Sequence, residues 1–149
     1  LIFFTLSFFS AFLLRNIYLL DFILVLLICI SSDIGGYIFG KIFKGPKLTK
    51  ISPNKTFSGM IGSFFLSITS ALLYTEYYNL VYWTDEILLI AVILISSISQ
   101  IGDLTVSYFK RKSKIKNTGK ILPGHGGLLD RIDGMLFAIP FAFILFKFL

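Results

Sequence analysis

Charged residues make up only 15% of this 149-residue sequence, whereas 56% of its residues are hydrophobic and 17 are Phe. A soluble domain of this length needs far more polar surface, so the composition excludes an ordinary soluble fold. The mean hydropathy of +0.85 instead predicts a protein that crosses a membrane several times.

Cysteine is almost absent. Cys29 is the single cysteine and lies within an apolar run, which excludes a disulfide framework and favours a small core residue. Motifs for Ser/His/Asp catalysis and thiolate metal sites are missing too. The segment from Gly35 to Lys41 starts like a Walker A loop, but Ile42 stands where that loop requires Ser or Thr, so we reject a P-loop.

Acidic residues are also few, with 8 Asp and Glu against 14 Lys and Arg, giving a formal net charge of +6. A basic protein can bind nucleic acid, but here the cations form two clusters between apolar runs and do not cover one soluble face. We therefore expect no nucleic-acid partner.

Apolar residues fall into about five segments, each near or below the roughly 20 residues that span a bilayer core. These segments are Leu1–Leu14, Ile17–Ser32, Phe57–Tyr74, Ile87–Phe109 and Gly134–Leu149. They predict an all-α, polytopic integral membrane helical bundle, with residues 1–149 as a single transmembrane domain. Because the sequence is apolar from Leu1 onward, we expect it to be the C-terminal part of a longer chain.

The polar connections between these segments differ in charge. The loops Lys41–Thr56 and Lys110–Asp133 are basic, whereas the turn Thr75–Glu86 contains three acidic residues, several aromatic residues and no Lys or Arg. The positive-inside rule places both basic loops in the cytoplasm, and the aromatic residues of the turn are typical of a membrane interface. Both basic loops can then converge on one site.

Asp103 is the first candidate for chemistry, because a carboxylate close to membrane depth is costly unless it has a cationic partner. The alternative is a carboxylate at the interface, paired with Lys110 or Arg111. Asp33 occupies a comparable position at the end of the second apolar segment.

Asp130 and Asp133 are a second candidate, three residues apart before the last apolar segment. If a helix begins near Leu128, both carboxylates lie on one face. Such oxygens suit Mg²⁺, which uses one or two carboxylates and completes its shell with phosphate and water. The alternative is a favourable interaction with the helix dipole, together with a pair to Arg131.

The cations point to phosphate chemistry. Lys55, Lys110 and Arg111 beside a divalent metal favour phosphoryl or nucleotidyl transfer, and the glycines around His125 would let backbone N–H groups approach a phosphate. His125 fits an acid–base or phosphate-contacting role, or a structural role in the turn. Four other lysines fit a solvated flank that attracts anionic lipid: Lys44, Lys47, Lys112 and Lys114.

The stretch from Gln100 to Asp133 resembles the long signature of the phosphatidate cytidylyltransferases (CDP-diacylglycerol synthases). The matching residues are Ser107, Lys110, Arg111, Lys116, Gly119, Leu122, Pro123, His125, Gly126, Gly127, Asp130, Arg131 and Asp133. A second block, from Asp33 to Gly40 and then from Ser52 to Thr56 with Gly59, is similar to the upstream region of that family. The resemblance covers nearly the whole chain.

The resemblance implies a magnesium-dependent reaction, with a second cation allowed, in which CTP and phosphatidate give CDP-diacylglycerol and pyrophosphate. It implies that metal is held by Asp103, Asp130 and Asp133, with Asp33 as a secondary candidate. Lys110 and Arg111 join these carboxylates as catalytic residues. Substrate binding falls to Ser52, Lys55, Thr56, Ser107, Lys116, His125, Gly126, Gly127 and Arg131. The lipid would enter from the cytoplasmic leaflet of a bacterial inner membrane, and a homodimer is compatible with this picture.

Three positions depart from the family pattern. Val106 and Ser58 stand where acidic residues are usual, and Asn117 stands where the signature has Asp. Alternatives are a CTP-dependent polyprenol or dolichol kinase-like enzyme, a degenerate paralogue without catalysis, and a transporter-like membrane protein that uses Asp33 and Asp103 as an ion path.

Overall fold

The computed structural model describes residues 2–49, 52, 55–114 and 132–148. Within these residues the chain forms the helices α1 (Ile2–Ile17), α2 (Leu19–Phe43), α3 (Phe57–Tyr77), α4 (Asp85–Lys112) and α5 (Met135–Phe148). The only β-type pairing in the described part is an isolated bridge between Lys47 and Thr56. The prediction of an all-α bundle is confirmed.

Local sequence explains where α3 and α4 begin. Thr56 precedes α3, and its side-chain oxygen accepts a hydrogen bond from the backbone N–H of Gly59 at 3.1 Å. Thr84 plays the same capping role before α4. Helix α4 also has acidic residues in its first turn and Lys110, Arg111 and Lys112 in its last turn, which complements the helix dipole.

In the described part of the chain, three helices, α2, α3 and α4, are long and apolar enough to cross a membrane, and α1 and α5 are shorter apolar helices. Large apolar side chains such as Phe8, Phe12, Ile61, Phe65 and Ile90 point outward and are exposed on the bundle surface. A surface of this kind suits lipid and not water. The chain is therefore an integral membrane protein.

Helices α2 and α3 make the most extensive contact in the bundle. A Cβ atom added at Gly35 would lie 2.4 Å from the carbonyl oxygen of Gly62, and one added at Gly62 would lie 2.3 Å from Cβ of Phe39. The two backbones approach closely because these positions lack side chains. This contact continues past Ser32, so α2 ends at Phe43 and runs into the predicted first basic loop. Asp33, which follows the predicted apolar segment, therefore lies within α2 and not at its end.

Serine hydroxyls join the three long helices. Ser32 and Ser96 share a hydrogen bond of 3.0 Å between α2 and α4. Ser63 donates to the carbonyl oxygen of Ser32 at 2.7 Å, and Ser67 donates to that of Ile28 at 3.1 Å, which joins α3 to α2. Such short polar side chains stabilise helix contacts where water is absent. These hydrogen bonds fix the positions of α2, α3 and α4 relative to one another, and thereby the positions of the charged residues that the helices carry.

The apolar core lies along the middle of the bundle. Leu24, Val25 and Ile28 of α2 pack there with Val92 and Ile95 of α4. Ala138 and Ala142 bring α5 into the same cluster, and Leu14 brings in α1. A hydrogen bond of 2.8 Å from Ser7 to the carbonyl oxygen of Leu136 also joins α1 to α5.

Candidate active site

A polar cavity of about 360 Å³ lies where α2, α3, α4 and the turn before α5 meet. Its walls carry the carboxylates of Asp33, Asp103 and Asp133 and the ammonium group of Lys55. These residues come from four separate parts of the sequence. The helix packing described above therefore brings together carboxylates and a lysine that lie far apart along the chain.

Lys55 and Asp103 form an ion pair across this cavity. Ser107, one turn further along α4, donates to the other carboxylate oxygen of Asp103 at 3.4 Å. The alternative considered from sequence, a pair between Asp103 and Lys110 or Arg111, is not what the structure contains. The partner comes instead from the residues that precede α3, so a lysine of the first basic region contacts this carboxylate.

Among the described carboxylates at the cavity, Asp133 is the most buried, with 7% of its surface exposed. It accepts a hydrogen bond from the backbone N–H of Gly134 at 3.0 Å, and Lys110 Nζ lies 3.5 Å from its other carboxylate oxygen. Burial, followed by repulsion from the charge of Asp103, raises the pKa of Asp133 to about 7 although Lys110 acts in the opposite direction. Additional positive charge nearby would therefore favour the ionised form of Asp133.

Several predicted substrate-binding residues line the same cavity. Ser52 and Thr56 do so beside Lys55, and Gly59 lies one turn into α3. Thr56 has a second role, because its hydroxyl caps α3 and shares a hydrogen bond of 3.0 Å with Ser58. The loop before α3 therefore has its position fixed by the start of that helix.

Ser58, one of the three positions expected from the sequence to depart from the family pattern, has a structural role in this chain. Its hydroxyl accepts a hydrogen bond from the backbone N–H of Gly45 at 3.2 Å, in addition to its contact with Thr56. It therefore connects the segment after α2 to the start of α3. Val106 lies half-buried in α4 and offers no polar atom in its side chain.

Of the remaining predicted site residues, the structure describes Arg111. Arg111 is exposed in the last turn of α4 and is not among the described residues that line the cavity. Six predicted site residues lie outside the described residues, as does Asn117. These six are Lys116, His125, Gly126, Gly127, Asp130 and Arg131. The helix predicted to begin near Leu128 also falls there, whereas Asp133 lies in the turn before α5.

Sequence reasoning missed several residues that line the cavity, among them Ser32, Ser63 and Gln100. Gln100 lies three residues before Asp103 in α4, so helical spacing alone places it on the same face. Gln100 could therefore have been predicted from its spacing to Asp103. The serines carried no such signal, because small polar residues in apolar helices more often serve packing.

The carboxylates fit a metal only in part. Among the described residues, no group of three or more Asp, Glu, His or Cys side chains is arranged to hold a metal ion by itself. Asp103 and Asp133 nevertheless line one cavity, and the charge of Asp103 disfavours ionisation of Asp133. Mg²⁺ is commonly bound by one or two carboxylates together with substrate phosphates and water. The donor set therefore suits a magnesium–phosphate complex better than a closed protein cage.

Fold and cavity together define a polytopic helical membrane protein with a charged polar site at the ends of its long helices. Residues 1–149 match the family model described as the cytidylyltransferase family. The chain belongs to that family.

Curated relatives agree with this assignment. The chain is 45% identical over 117 residues to a protein of Staphylococcus aureus (strain COL) named phosphatidate cytidylyltransferase, covering 76% of this chain and 44% of the relative. It is 43% identical over 117 residues, with the same coverage, to the protein of that name from Staphylococcus saprophyticus. The resemblance found in the sequence is thereby confirmed. This chain spans less than half the length of these relatives.

A solved structure has the same fold. It is described as an intramembrane enzyme for archaeal membrane lipids biosynthesis, and it aligns with a TM-score of 0.56 at 18% sequence identity. The alignment covers 80% of this chain and 76% of the other. At this identity the likeness extends to the arrangement of helices alone.

Proposed function

We propose that this chain carries the active site of a phosphatidate cytidylyltransferase, which transfers CMP from CTP to phosphatidate and releases pyrophosphate. The observation that carries the proposal is the single cavity in which Lys55, Asp103 and Asp133 meet, with Lys110 against Asp133. Family membership and the names of the curated relatives support the same activity.

The transfer is a displacement at phosphorus. A phosphate oxygen of phosphatidate forms a new bond to the α-phosphorus of CTP, and the bond from that phosphorus to the pyrophosphate oxygen breaks. Both substrates are anionic, so the main task of the protein is to position them and to neutralise charge. In this proposal the ammonium groups of Lys55 and Lys110 turn from the carboxylates to phosphate oxygens when substrate enters, and Ser52 and Thr56 donate hydrogen bonds to it.

Asp103 and Asp133 would hold Mg²⁺ in this site, with Asp33 as a secondary ligand and Asp130 contributing from outside the described residues. When bound, Mg²⁺ would offset the negative charge of the triphosphate and of the leaving pyrophosphate. Two of these carboxylates also account for the positions of the lysines, because Asp103 forms an ion pair with Lys55 and Asp133 forms one with Lys110. A second cation and a homodimer stay predictions.

The proposal includes an orientation in the membrane. Both basic regions face the cytoplasm, where CTP is available, and phosphatidate enters sideways from the inner leaflet of a bacterial plasma membrane. The charge difference between the ends of the helices supports this orientation: α4 starts with Asp85 and Glu86 and ends with Lys110, Arg111 and Lys112.

The test is product analysis with the full-length protein in detergent, Mg²⁺ and CTP. We expect pyrophosphate and CDP-diacylglycerol with phosphatidate, and no turnover with a polyprenol. Release of CDP together with phosphorylation of the polyprenol would instead establish the kinase-like alternative. Absence of both reactions, and of CTP-dependent thermal stabilisation, would support the degenerate paralogue.

A further inference from the structure

A second cavity, of about 510 Å³, lies at the other end of the bundle. It contains the carboxylate of Asp21, which precedes Asp33 on α2 by twelve residues, or about 18 Å along the helix axis. The rings of Tyr18, Tyr82 and Trp83 line this cavity, and Ile87 and Phe146 are part of its apolar wall. This cavity is separate from the proposed active site.

Asp21 is buried, with 7% of its surface exposed. The hydroxyl of Tyr82 and the indole N–H of Trp83 each donate a hydrogen bond of 2.9 Å to it, and both bonds go to the same oxygen, Oδ1. Partial desolvation of the Tyr82 hydroxyl and its hydrogen bond to Asp21 raise the pKa of Tyr82 to about 12, so this phenol stays a proton donor although much of the ring is exposed. In the described part of the chain, no donor contacts the second oxygen, Oδ2.

No lysine or arginine forms an ion pair with Asp21 within the described residues. Arg15, six residues earlier, is exposed on α1 and does not reach this carboxylate. A buried carboxylate is costly without a counter-charge, and two hydrogen bonds together with the dipole of α2 offset only part of that cost. The cavity beside Oδ2 offers space for a cation.

The cavity wall indicates what kind of cation fits. Metal ions such as Ca²⁺ need six or more oxygen ligands, whereas this wall offers one carboxylate among aromatic and aliphatic side chains. Aromatic ring faces attract organic ammonium groups, and Trp and Tyr do so most strongly. The aliphatic wall suits an alkyl chain attached to that group.

We propose that this cavity binds the ammonium group of an amphiphile, with Asp21 as its counter-ion, the three aromatic rings around it and the alkyl chain against Ile87 and Phe146. A bilayer supplies this chemistry as a lipid with an amine-containing headgroup. The site is independent of the proposed transfer reaction and stands even if that reaction is wrong.

Trp83 provides a direct readout, because it is the single tryptophan of this chain and donates its N–H to Asp21. Any tryptophan of the full-length protein outside this chain is replaced by Phe. The protein in maltoside micelles is titrated with dodecyltrimethylammonium, with dodecanol as an uncharged probe of equal chain length, and with tetramethylammonium as a soluble amine. We expect a saturable change in Trp83 fluorescence with dodecyltrimethylammonium at the lowest concentration. An equal response to dodecanol would overturn the proposal, and an equal affinity for tetramethylammonium would overturn its assignment to a lipid.

The Asp21→Asn variant keeps an oxygen that can accept from Tyr82 and Trp83, and we expect it to bind dodecyltrimethylammonium at least tenfold more weakly. Asp85→Asn is the matched control, because it removes an exposed carboxylate at the start of α4, and it should bind normally. Unchanged affinity in Asp21→Asn would contradict the site. If that variant does not fold, Tyr18→Leu provides the test, because it removes one aromatic ring and keeps the carboxylate. It should bind dodecyltrimethylammonium severalfold more weakly, and unchanged affinity would reject the proposal.

Discussion

At the scale of single residues, the ion pair between Lys55 and Asp103 shows that a contact can matter for function while contributing little to stability. Their side chains are 27% and 28% exposed, so solvent screens the pair. Pairs of this kind contribute roughly 0–1 kcal/mol to the free energy of unfolding. Asp103 nevertheless belongs to a helix long and apolar enough to cross a membrane, and carboxylates in such helices are rare and usually functional. The contact is therefore better explained by a functional requirement than by stability.

The first prediction concerns Lys55→Met. This variant keeps the aliphatic part of the side chain and removes the ammonium group, so we expect kcat/KM for the transferase reaction to fall by about 10²–10³. The melting temperature in detergent should change little. Lys112→Met is the control, because Lys112 is exposed in the last turn of α4, and its activity should match that of the unaltered protein. Equal kcat/KM in Lys55→Met and Lys112→Met would contradict a role for Lys55 in the reaction.

The charged residues of the site could be predicted from sequence, but their pairing could not. Sequence proximity favours Lys110 or Arg111 as partners of Asp103, yet Lys110 lies against Asp133 and Asp103 pairs with Lys55. Pairing depends on how α3 and the turn before α5 pack against α4. The cost of burying a carboxylate predicts that a cation lies near it, but not which cation. The two basic loops and the carboxylates near them were sufficient to predict only that cations and carboxylates share one site.

At the scale of elements, the close contact of α2 and α3 sets the geometry of the cavity. Gly35 and Gly62 let the two backbones approach, and Gly36 and Gly59 of the same two helices line the cavity just beyond. Hydropathy did not predict the length of α2, which continues to Phe43. Hydropathy ends a segment at the first charged residue, whereas helical hydrogen bonds continue wherever packing supports them. That is why Asp33 lies within the helix.

The second prediction follows from this contact. Gly35→Ala places a methyl group 2.4 Å from a backbone carbonyl oxygen that cannot rotate away, so the helices must separate. We expect a loss of about 1–3 kcal/mol in the free energy of unfolding, measured by denaturation in mixed micelles. Gly40→Ala is the matched control, because its nearest contact is the side chain of Thr56 at 3.0 Å. A loss of the same size in Gly40→Ala would contradict the assigned role of the α2–α3 contact.

The two ends of the whole molecule differ in chemistry. One end contains lysines and carboxylates around the proposed transferase site, and the other contains Asp21 among aromatic side chains. The sequence predicts this difference through the basic loops and the acidic, aromatic turn. The cavity around Asp21 could not be predicted, because it forms only where the start of α2, the turn before α4 and the end of α5 come together.

The third prediction is the orientation of these ends in the membrane. Cys29 is fully buried, so this chain gives little background labelling with a membrane-impermeant maleimide. A cysteine introduced at Glu86 should react in intact spheroplasts, whereas one introduced at Lys112 should react only after permeabilisation. The reverse pattern would place the site outside the cytoplasm and rule out direct access of CTP.

The most direct test of the central claim is magnesium-dependent pyrophosphate release from CTP and phosphatidate by the full-length protein and its Asp103→Asn and Asp133→Asn variants. Each substitution removes a carboxylate from the cavity while keeping the shape of the side chain. We predict turnover by the unaltered protein, a loss of at least about 100-fold in either variant, and normal turnover in Asp85→Asn, which alters the opposite end of α4. Full turnover in Asp103→Asn or Asp133→Asn would contradict the assignment of this cavity as the active site.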